Sequence, residues 1–430
     1  MSVLLIVLVI FLVLLLLGFP IAFVMGISGV AYFVFKGDLS LLSMIPEKIF
    51  AGMDLFVIVS IPFFLLAGEL MNRSGISDRL ISFSNMIVGR LRGGLAQVVL
   101  LASLFFAGIA GTAIGAIAAL GIIFIPAMEK QGYERRFSSA VTAAGSIVSP
   151  IIPPSIIIII YGALMGVSIG GLFVAAIVPG VLIWLVSSLI VAFISKKRDY
   201  PKNEEKYTLK EYAVSFKDGI LALLMPFIIL AGILSGIFTP TEAAAAAVAY
   251  AFLIGAFVFR KLKWSDGPPI LFSSMMNSAK LLFILATACI LGWIFAMEHL
   301  PNHIANFLMS FSSNRYVILL LVNVLLLFIG TWLDVGAALI LFAPILVPVM
   351  KSFGFDPIHF GIVMIINLNI GLFTPPVGTC LYVSCAVGNV SVEELIKEVW
   401  PFLVGNVVVL LLLSYIPDLV MALPRLFGLA

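Results

Sequence analysis

Charge is what this 430-residue chain lacks. Asp, Glu, Lys and Arg make up only 10% of it, against about a quarter in an ordinary soluble domain. That scarcity excludes a soluble globular protein, and a net charge of +3 is too small to suggest a nucleic-acid partner. Cysteine is scarce too. Cys289, Cys380 and Cys385 all fall in apolar segments, odd in number and without ligand spacing. They give neither a disulfide framework nor a metal site and read as small packing residues. Of the three histidines, His299 and His303 are separated by Pro301 and share no regular helical face, so MEHLPNHIA reads as an interfacial loop. His359, beside a proline turn, reads the same way. No paired-histidine zinc motif, Ser-His-acid grouping, Walker loop or haem pair is present. An enzyme is not indicated, and energy for any work has to come from an ion gradient.

Hydrophobic residues fill the chain instead, at 63%. Apolar runs of about 20 residues recur from end to end, which marks a polytopic helical membrane protein. The first, Val3 to Leu17, lacks a basic start and a small-residue cleavage site and is expected to be a retained helix. Two runs, 93–128 and 316–350, are about 35 residues long, roughly 50 Å as helix, against a hydrocarbon core about 30 Å thick. Each has to bend or break, and each has glycines midway: Gly108, Gly111 and Gly115 in one, Gly330 and Gly336 in the other. The long polar connection KKRDYPKNEEKYTLKEYAVSFKDG, residues 196–219, carries seven Lys and Arg and is the best cytoplasmic candidate. The other basic clusters, at 90–92, 134–136 and 260–263, do not give one threading, and the orientation of the termini stays open.

An internal repeat is written in the residues that break helices. Adding 222 takes Gly108 to Gly330, Pro126 to Pro348, Gly132 to Gly354, Pro153 and Pro154 to Pro375 and Pro376, and Gly166 to Gly388. These residues fix backbone shape, so their recurrence points to duplication. The paired segments GSIVSPIIPPS (145–155) and NIGLFTPPVG (369–378) break apolar runs at membrane depth. Freed backbone there has to be buried in protein or line a wet cavity, and interrupted segments in corresponding halves point to a transporter site. The expectation is a re-entrant hairpin at each, with tips at about 145–155 and 367–378.

Few side chains are left to carry chemistry. Asp334, in FIGTWLDVGAALILFAPIL, is the most informative acid, because an intramembrane carboxylate is costly. Its counterpart under the shift is Thr112, in FAGIAGTAIGA. Both offer oxygen beside a glycine-rich break; the competing reading is a cap on freed backbone donors. Ser146, Ser149 and Thr374 put hydroxyls at or beside the two breaks, with local backbone capping as the alternative. Glu242, in TPTEAAAAAVAY, is at minimum an acid in a helix's first turn, and it is also a candidate for a substrate path. Asp54, Glu69 and Asp418 lie towards segment ends and read as interfacial.

Several motifs, in order, resemble the large membrane subunit of tripartite ATP-independent periplasmic (TRAP) transporters: GFPIAF (18–23), IPFFLLAGELMNRSGI (61–76), IIPPSIIIIIYG (151–162), GIFTPTEAAA (236–245), FGFDPIHFGI (353–362) and IGLFTPPVGTCLYV (370–383). The resemblance covers essentially the whole chain. It implies an all-α polytopic protein of the bacterial inner membrane with an ion-transporter-type elevator fold and two inverted repeats, each with a re-entrant hairpin. The implied organisation is N-terminal scaffold helices over 1–92 and a first transport-domain repeat over 93–170. Scaffold and connecting helices follow over 171–315, with the polar loop 196–218, then a second repeat over 316–390 and a C-terminal helix over 391–430. The implied function is sodium-driven uptake of an organic acid, dependent on a periplasmic substrate-binding protein and a small four-helix membrane subunit. Membrane lipid is the remaining partner and nucleic acid is not one. The candidate sodium sites are Ser103, Gly145, Ser146, Ser149 and Pro150 in the first half, and Gly330, Asp334, Gly371, Thr374 and Gly378 in the second. Thr112, Ser168, Glu242 and Asp334 are the substrate candidates. One departure stands out: Ala116 occupies a position where the family commonly has Asp, which leaves Asp334 as the lone central acid. The segment CLYVSCAVGNVSVEE (380–394) resembles the sialic-acid and sugar-acid branch of the family, which implies such a substrate, with a C4-dicarboxylate next. A stand-alone sodium–carboxylate symporter of similar fold and an uncoupled channel are the rival readings.

Overall fold

The computed structural model describes residues 2–107, 112–202 and 209–429; Gly108 and Gly111 lie outside the described residues. Among these are twenty α-helices and no β-strand, and nine helices are long and apolar enough to cross a bilayer. An N-terminal group comprises α1 (Ser2–Leu16), α2 (Ile21–Lys36), α3 (Ile45–Met53), α4 (Ser60–Arg73) and α5 (Ile76–Val88). The first repeat follows as α6 (Gly94–Phe105), α7 (Ala113–Lys130), α8 (Arg135–Ser146), α9 (Ile156–Met165) and α10 (Ile169–Lys197). Next come α11 (Leu209–Leu234), α12 (Pro240–Leu253), α13 (Gly267–Met297) and α14 (Leu300–Phe311). The second repeat is α15 (Arg315–Trp332), α16 (Val335–Ser352), α17 (Pro357–Gly371), α18 (Thr379–Gly388) and α19 (Val392–Tyr415), and α20 (Asp418–Leu426) closes the chain.

The 222-residue shift holds at the level of backbone. It lays α7 on α16 residue for residue, both 18 residues long, and starts α8 on the start of α17. Thr112 and Asp334 are both N-caps, accepting from Gly115 N and Gly336 N. Gly132 and Gly354 turn the chain with φ of +89° and +82°, a conformation that only glycine adopts without strain. Both Pro-Pro bonds, Pro153–Pro154 and Pro375–Pro376, are cis.

The helix α10 serves as a ruler. Its 29 residues span about 43 Å. Near its start, a methyl on Gly171 would lie 3.2 Å from Ile358 Cδ1. Beyond its end, Arg198 pairs with Glu398 at 2.8 Å and reaches Glu134 at 3.6 Å. Glu134 and Ile358 therefore lie at opposite ends of the molecule. The Glu134 end also gathers Arg92, Arg135, Arg136 and Lys202, and this excess of basic residues assigns it to the cytoplasm.

These anchors relocate the re-entrant hairpins. Gly93, at the start of α6, donates to Pro201 O at 3.3 Å, and Tyr133, just after α7, stacks on Tyr200 at 4.6 Å. So α6 leaves from the cytoplasmic end and α7 returns to it, with Phe106 and Thr112 at the far ends of the two arms. In the second repeat Arg315 lies over the Phe355 ring at 5.9 Å, so α15 and α16 form a hairpin from the other end, tipped by Leu333 and Asp334. The segments 145–155 and 367–378, expected as hairpin tips, are instead breaks in helices that cross. From the cytoplasmic end α8 leads into α9, whose Tyr161 hydroxyl donates to Pro357 O (2.6 Å) at the far end. In the opposite direction α17 leads into α18, where Gly388 O accepts from Arg135 Nε (2.5 Å). The physical reason is packing: α9 lies on α16, and α18 on α7 and α8, so each second half-helix continues forward onto the other repeat. Since α7 ends at the cytoplasmic face and α16 at the opposite one, the two repeats are inverted.

Two amphipathic helices precede the hairpins, α5 before the first and α14 before the second. MEHLPNHIA, read as a loop, therefore starts a helix at Leu300. His359 is also corrected: it sits in the first turn of α17, 2% exposed, with Nε2 2.9 Å from Leu413 O.

Candidate functional site

Each half of the molecule brings one hairpin tip against one broken helix. In the first half the Ser149 hydroxyl, in the α8–α9 break, donates to Phe106 O at the hairpin tip (3.3 Å). A methyl on Gly145 would fall 2.6 Å from Ser103 Oγ, so α6 and α8 touch there. Ser103 donates to Val99 O and Ser146 to Ala143 O. Pro150 O accepts from Ser155 Oγ at 2.5 Å. Ser103, Gly145, Ser146, Ser149 and Pro150 thus converge on one junction.

The second half repeats the arrangement with glycine in place of serine. A methyl on Gly371 would lie 2.6 Å from Gly330 Cα, so α15 and α17 meet backbone to backbone. Thr374 Oγ1 donates to Ile370 O (2.7 Å) and Thr374 N to Gly371 O (2.9 Å). Gly378 has φ of +35°, and a methyl there would sit 2.8 Å from Thr374 O. Four residues after Gly330, Asp334 caps α16 with Oδ2 accepting from Gly336 N at 3.0 Å.

Thr112 and Asp334 both keep exposed surface at the tips. Each gives an oxygen to a backbone donor, so the capping reading is part of their role. An exposed capping carboxylate keeps acceptor capacity for a ligand. Around them are half-helix ends, freed carbonyls and hydroxyls, a donor set suited to a hard monovalent cation and to the oxygens of an anion. Among the described residues no three His, Cys, Asp or Glu side chains cluster as a metal site.

Two substrate candidates stand apart. Ser168 is an exposed N-cap of α10, accepting from Gly171 N at 3.1 Å. All of α9, about 15 Å of helix, separates it from the break. Glu242 forms a capping box with Thr239, accepting from its N and Oγ1 at 2.8 Å each, and among the described residues no hydrogen bond or ion pair joins it to either tip. Buried asparagines were not anticipated. Asn369, fully buried two residues before Gly371, donates to Ile365 O and has an Oδ1 with no partner among the described residues. Asn367 donates to Asn323, which donates to Ser414. Their signal is present as amides in the apolar run IINLNIG, but an uncharged amide contrasts less with apolar surroundings than a carboxylate does.

Inverted repeats, hairpins entering from opposite faces and discontinuous helices meeting at mid-depth are the architecture of a polytopic membrane permease. A family model described as the DctM component of the tripartite ATP-independent periplasmic transporter matches residues 8–419, and the chain belongs to that family, the large permease subunits. It is 38% identical over 410 residues to the sialic acid TRAP transporter large permease protein SiaM of Vibrio cholerae, covering 95% of this chain and 96% of that one. It is also 38% identical to the isethionate TRAP transporter permease protein DctMQ of Oleidesulfovibrio alaskensis, over 96% of this chain but 64% of that longer one. Among solved structures, the YdaH transporter of Alcanivorax borkumensis shares the fold at a TM-score of 0.56 and 16% identity, over 91% of this chain and 88% of that one.

Proposed function

We propose that this chain is the permease through which a sodium gradient drives uptake of an organic acid delivered by a periplasmic binding protein. A small four-helix membrane subunit extends its scaffold. The supporting observation is the pair of junctions, Ser149 on Phe106 and Gly371 on Gly330, where each hairpin meets a broken helix at mid-depth. Sodium ions occupy these two junctions. The anion binds between the tips, near Thr112 and Asp334. Transport carries the two repeats as one body past α2, α4 and α13, an elevator movement supported by the interlocking of α7 with α18 and α16 with α9. A sialic or sugar acid is the favoured substrate and a C4-dicarboxylate the next. The relatives named for sialic acid and for isethionate are equally similar to this chain, so the preference rests on the 380–394 segment.

The test is reconstitution into liposomes with and without a sodium gradient, with the small subunit and with candidate binding proteins. Uptake is expected only when gradient, small subunit and binding protein are all present. Robust uptake by this chain alone would establish a stand-alone symporter, and flux without sodium a channel.

A further inference from the structure

The least explained charge in the molecule is Lys280. It lies about 20 Å along α13 from Gly267 and about 26 Å from Met297, too far for its side chain to reach water at either end. Its depth is fixed independently by the next residue. A Cβ on Gly336 would lie 3.9 Å from Leu281 Cδ2, so Lys280 sits at the level of the Asp334 hairpin tip, the middle of the bilayer. It is exposed and makes no ion pair or hydrogen bond among the described residues. Its neighbours on the same helical face are large and apolar: Phe272 (68% exposed), Met276 (44%) and Phe283 (45%), at intervals that stack on one stripe. Beside Phe283 runs a shallow apolar groove of about 460 Å³ between α2 and α13, with Ala22, Gly26 and Val30 on its other wall.

Lipid tails fit the apolar residues and the groove but not the ammonium, which needs an acceptor at a depth where lipid offers none. We infer that this face of α2 and α13 receives a transmembrane helix of a second membrane chain, which places a carboxylate opposite Lys280. Resting on the tripartite reading above, the occupant is the small membrane subunit. Charge complementarity at mid-bilayer fixes the register of that helix, while the groove beside Phe283 receives its apolar side chains between the exposed Phe23 and Ile27 of α2. The longer isethionate relative, of which this chain covers 64%, has chain left over to supply such a helix covalently.

The test co-expresses this chain with the small subunit and measures their ratio after affinity purification of the larger one. Lys280→Glu is expected to reduce the co-purified subunit at least tenfold, Lys280→Leu less, and Lys280→Arg little. Converting the opposing acid of the small subunit to Lys should restore binding to Lys280→Glu. Monodisperse elution of each variant in detergent guards against misfolding. In parallel, a photo-crosslinker at Met276 should join the small subunit, and one at Phe193, exposed on α10, should not. Unchanged co-purification by Lys280→Glu, or crosslinking from Met276 to lipid only, overturns the inference and leaves the permease reading intact. Failure of the unaltered chain to hold any small subunit overturns the tripartite reading as well.

Discussion

At the scale of single residues, Asp334 and Glu69 separate what an acid does at a break from what it does near a segment end. Asp334 caps a hairpin tip and keeps exposed surface there, whereas Glu69 lies one turn from the end of α4 and accepts from Ser273 Oγ at 2.7 Å. Asp334 is the one carboxylate among the described residues at the second junction, so a cation there is expected to draw its only full negative charge from it. Asp334→Ala should therefore lower apparent sodium affinity about tenfold or more, about 1.4 kcal/mol, and Glu69→Ala hardly at all. Sodium titrations of uptake that coincide for the two variants would remove Asp334 from the ion site. Glu298, beyond the end of α13, gives a second residue-scale prediction. Hydrogen bonding from Lys36 first, and then from Tyr32, holds its carboxyl below the ordinary range. Its stabilising tie to α2 is thus fully present above about pH 4.3 and fades as pH falls through the depressed value. The pair is partly exposed, so the effect stays under about 1 kcal/mol. Melting curves of Glu298→Gln should lie slightly below the unaltered protein at pH 7 and converge with it below about pH 4. The place of Asp334 at a helix break was legible from sequence because a carboxylate contrasts with its apolar surroundings. Asn369 was not, because an amide's role depends on which neighbour satisfies it, and that is set by the fold.

At the scale of elements, the junction of α15 and α17 depends on two glycines whose backbones touch. A methyl on Gly371 would stand 2.6 Å from Gly330 Cα and 2.9 Å from Leu327 O, and backbone on both sides leaves nothing flexible to yield. Gly371→Ala is expected to cost about 1–3 kcal/mol as overpacking, read as a lower melting temperature in detergent. Gly132→Ala, where nothing lies within 4 Å but φ is +89°, should cost less, about 1 kcal/mol. An equal loss for both would mean that the helices can separate freely at this point. The elements also show where sequence reasoning stopped. The two runs of about 35 residues announced a break, and the 222-residue shift paired the breaks correctly. The direction taken after each break was misread. A Pro-Pro turn frees the same carbonyls whether the chain reverses or proceeds, and the choice is made by the surface awaiting the second half-helix. For α9 that surface is α16, and for α18 it is α7 and α8, partners more than a hundred residues distant.

On the scale of the whole molecule, the two junctions are not independent. The halves exchange their second half-helices, α18 lying on α7 and α9 on α16, and the Ser384 hydroxyl donates to Ser139 O across the repeats at 2.8 Å. Ordering one tip by a bound cation therefore presents a firmer surface to the other repeat. A second cation binding to that ordered surface loses less conformational freedom, which is positive coupling. Uptake should accordingly rise with sodium as a sigmoid with a Hill coefficient approaching about 2. Ser149→Ala, in the first junction, and Thr374→Val, in the second, should each bring that coefficient towards about 1 while leaving some transport. Labelling gives the structural counterpart. Two of the native cysteines, Cys380 and Cys385, are buried and Cys289 is half-buried, so background reaction is low. Cysteines placed at Ser149 and Thr374 should react with impermeant reagents from opposite faces of the membrane, since α8 enters from one and α17 from the other. Sodium should protect both, and sodium sufficient to fill one junction should already slow reaction at the other. Protection at each position that follows its own simple saturation curve, unmoved by mutation of the partner junction, would show that the interlocked repeats bind their ions separately.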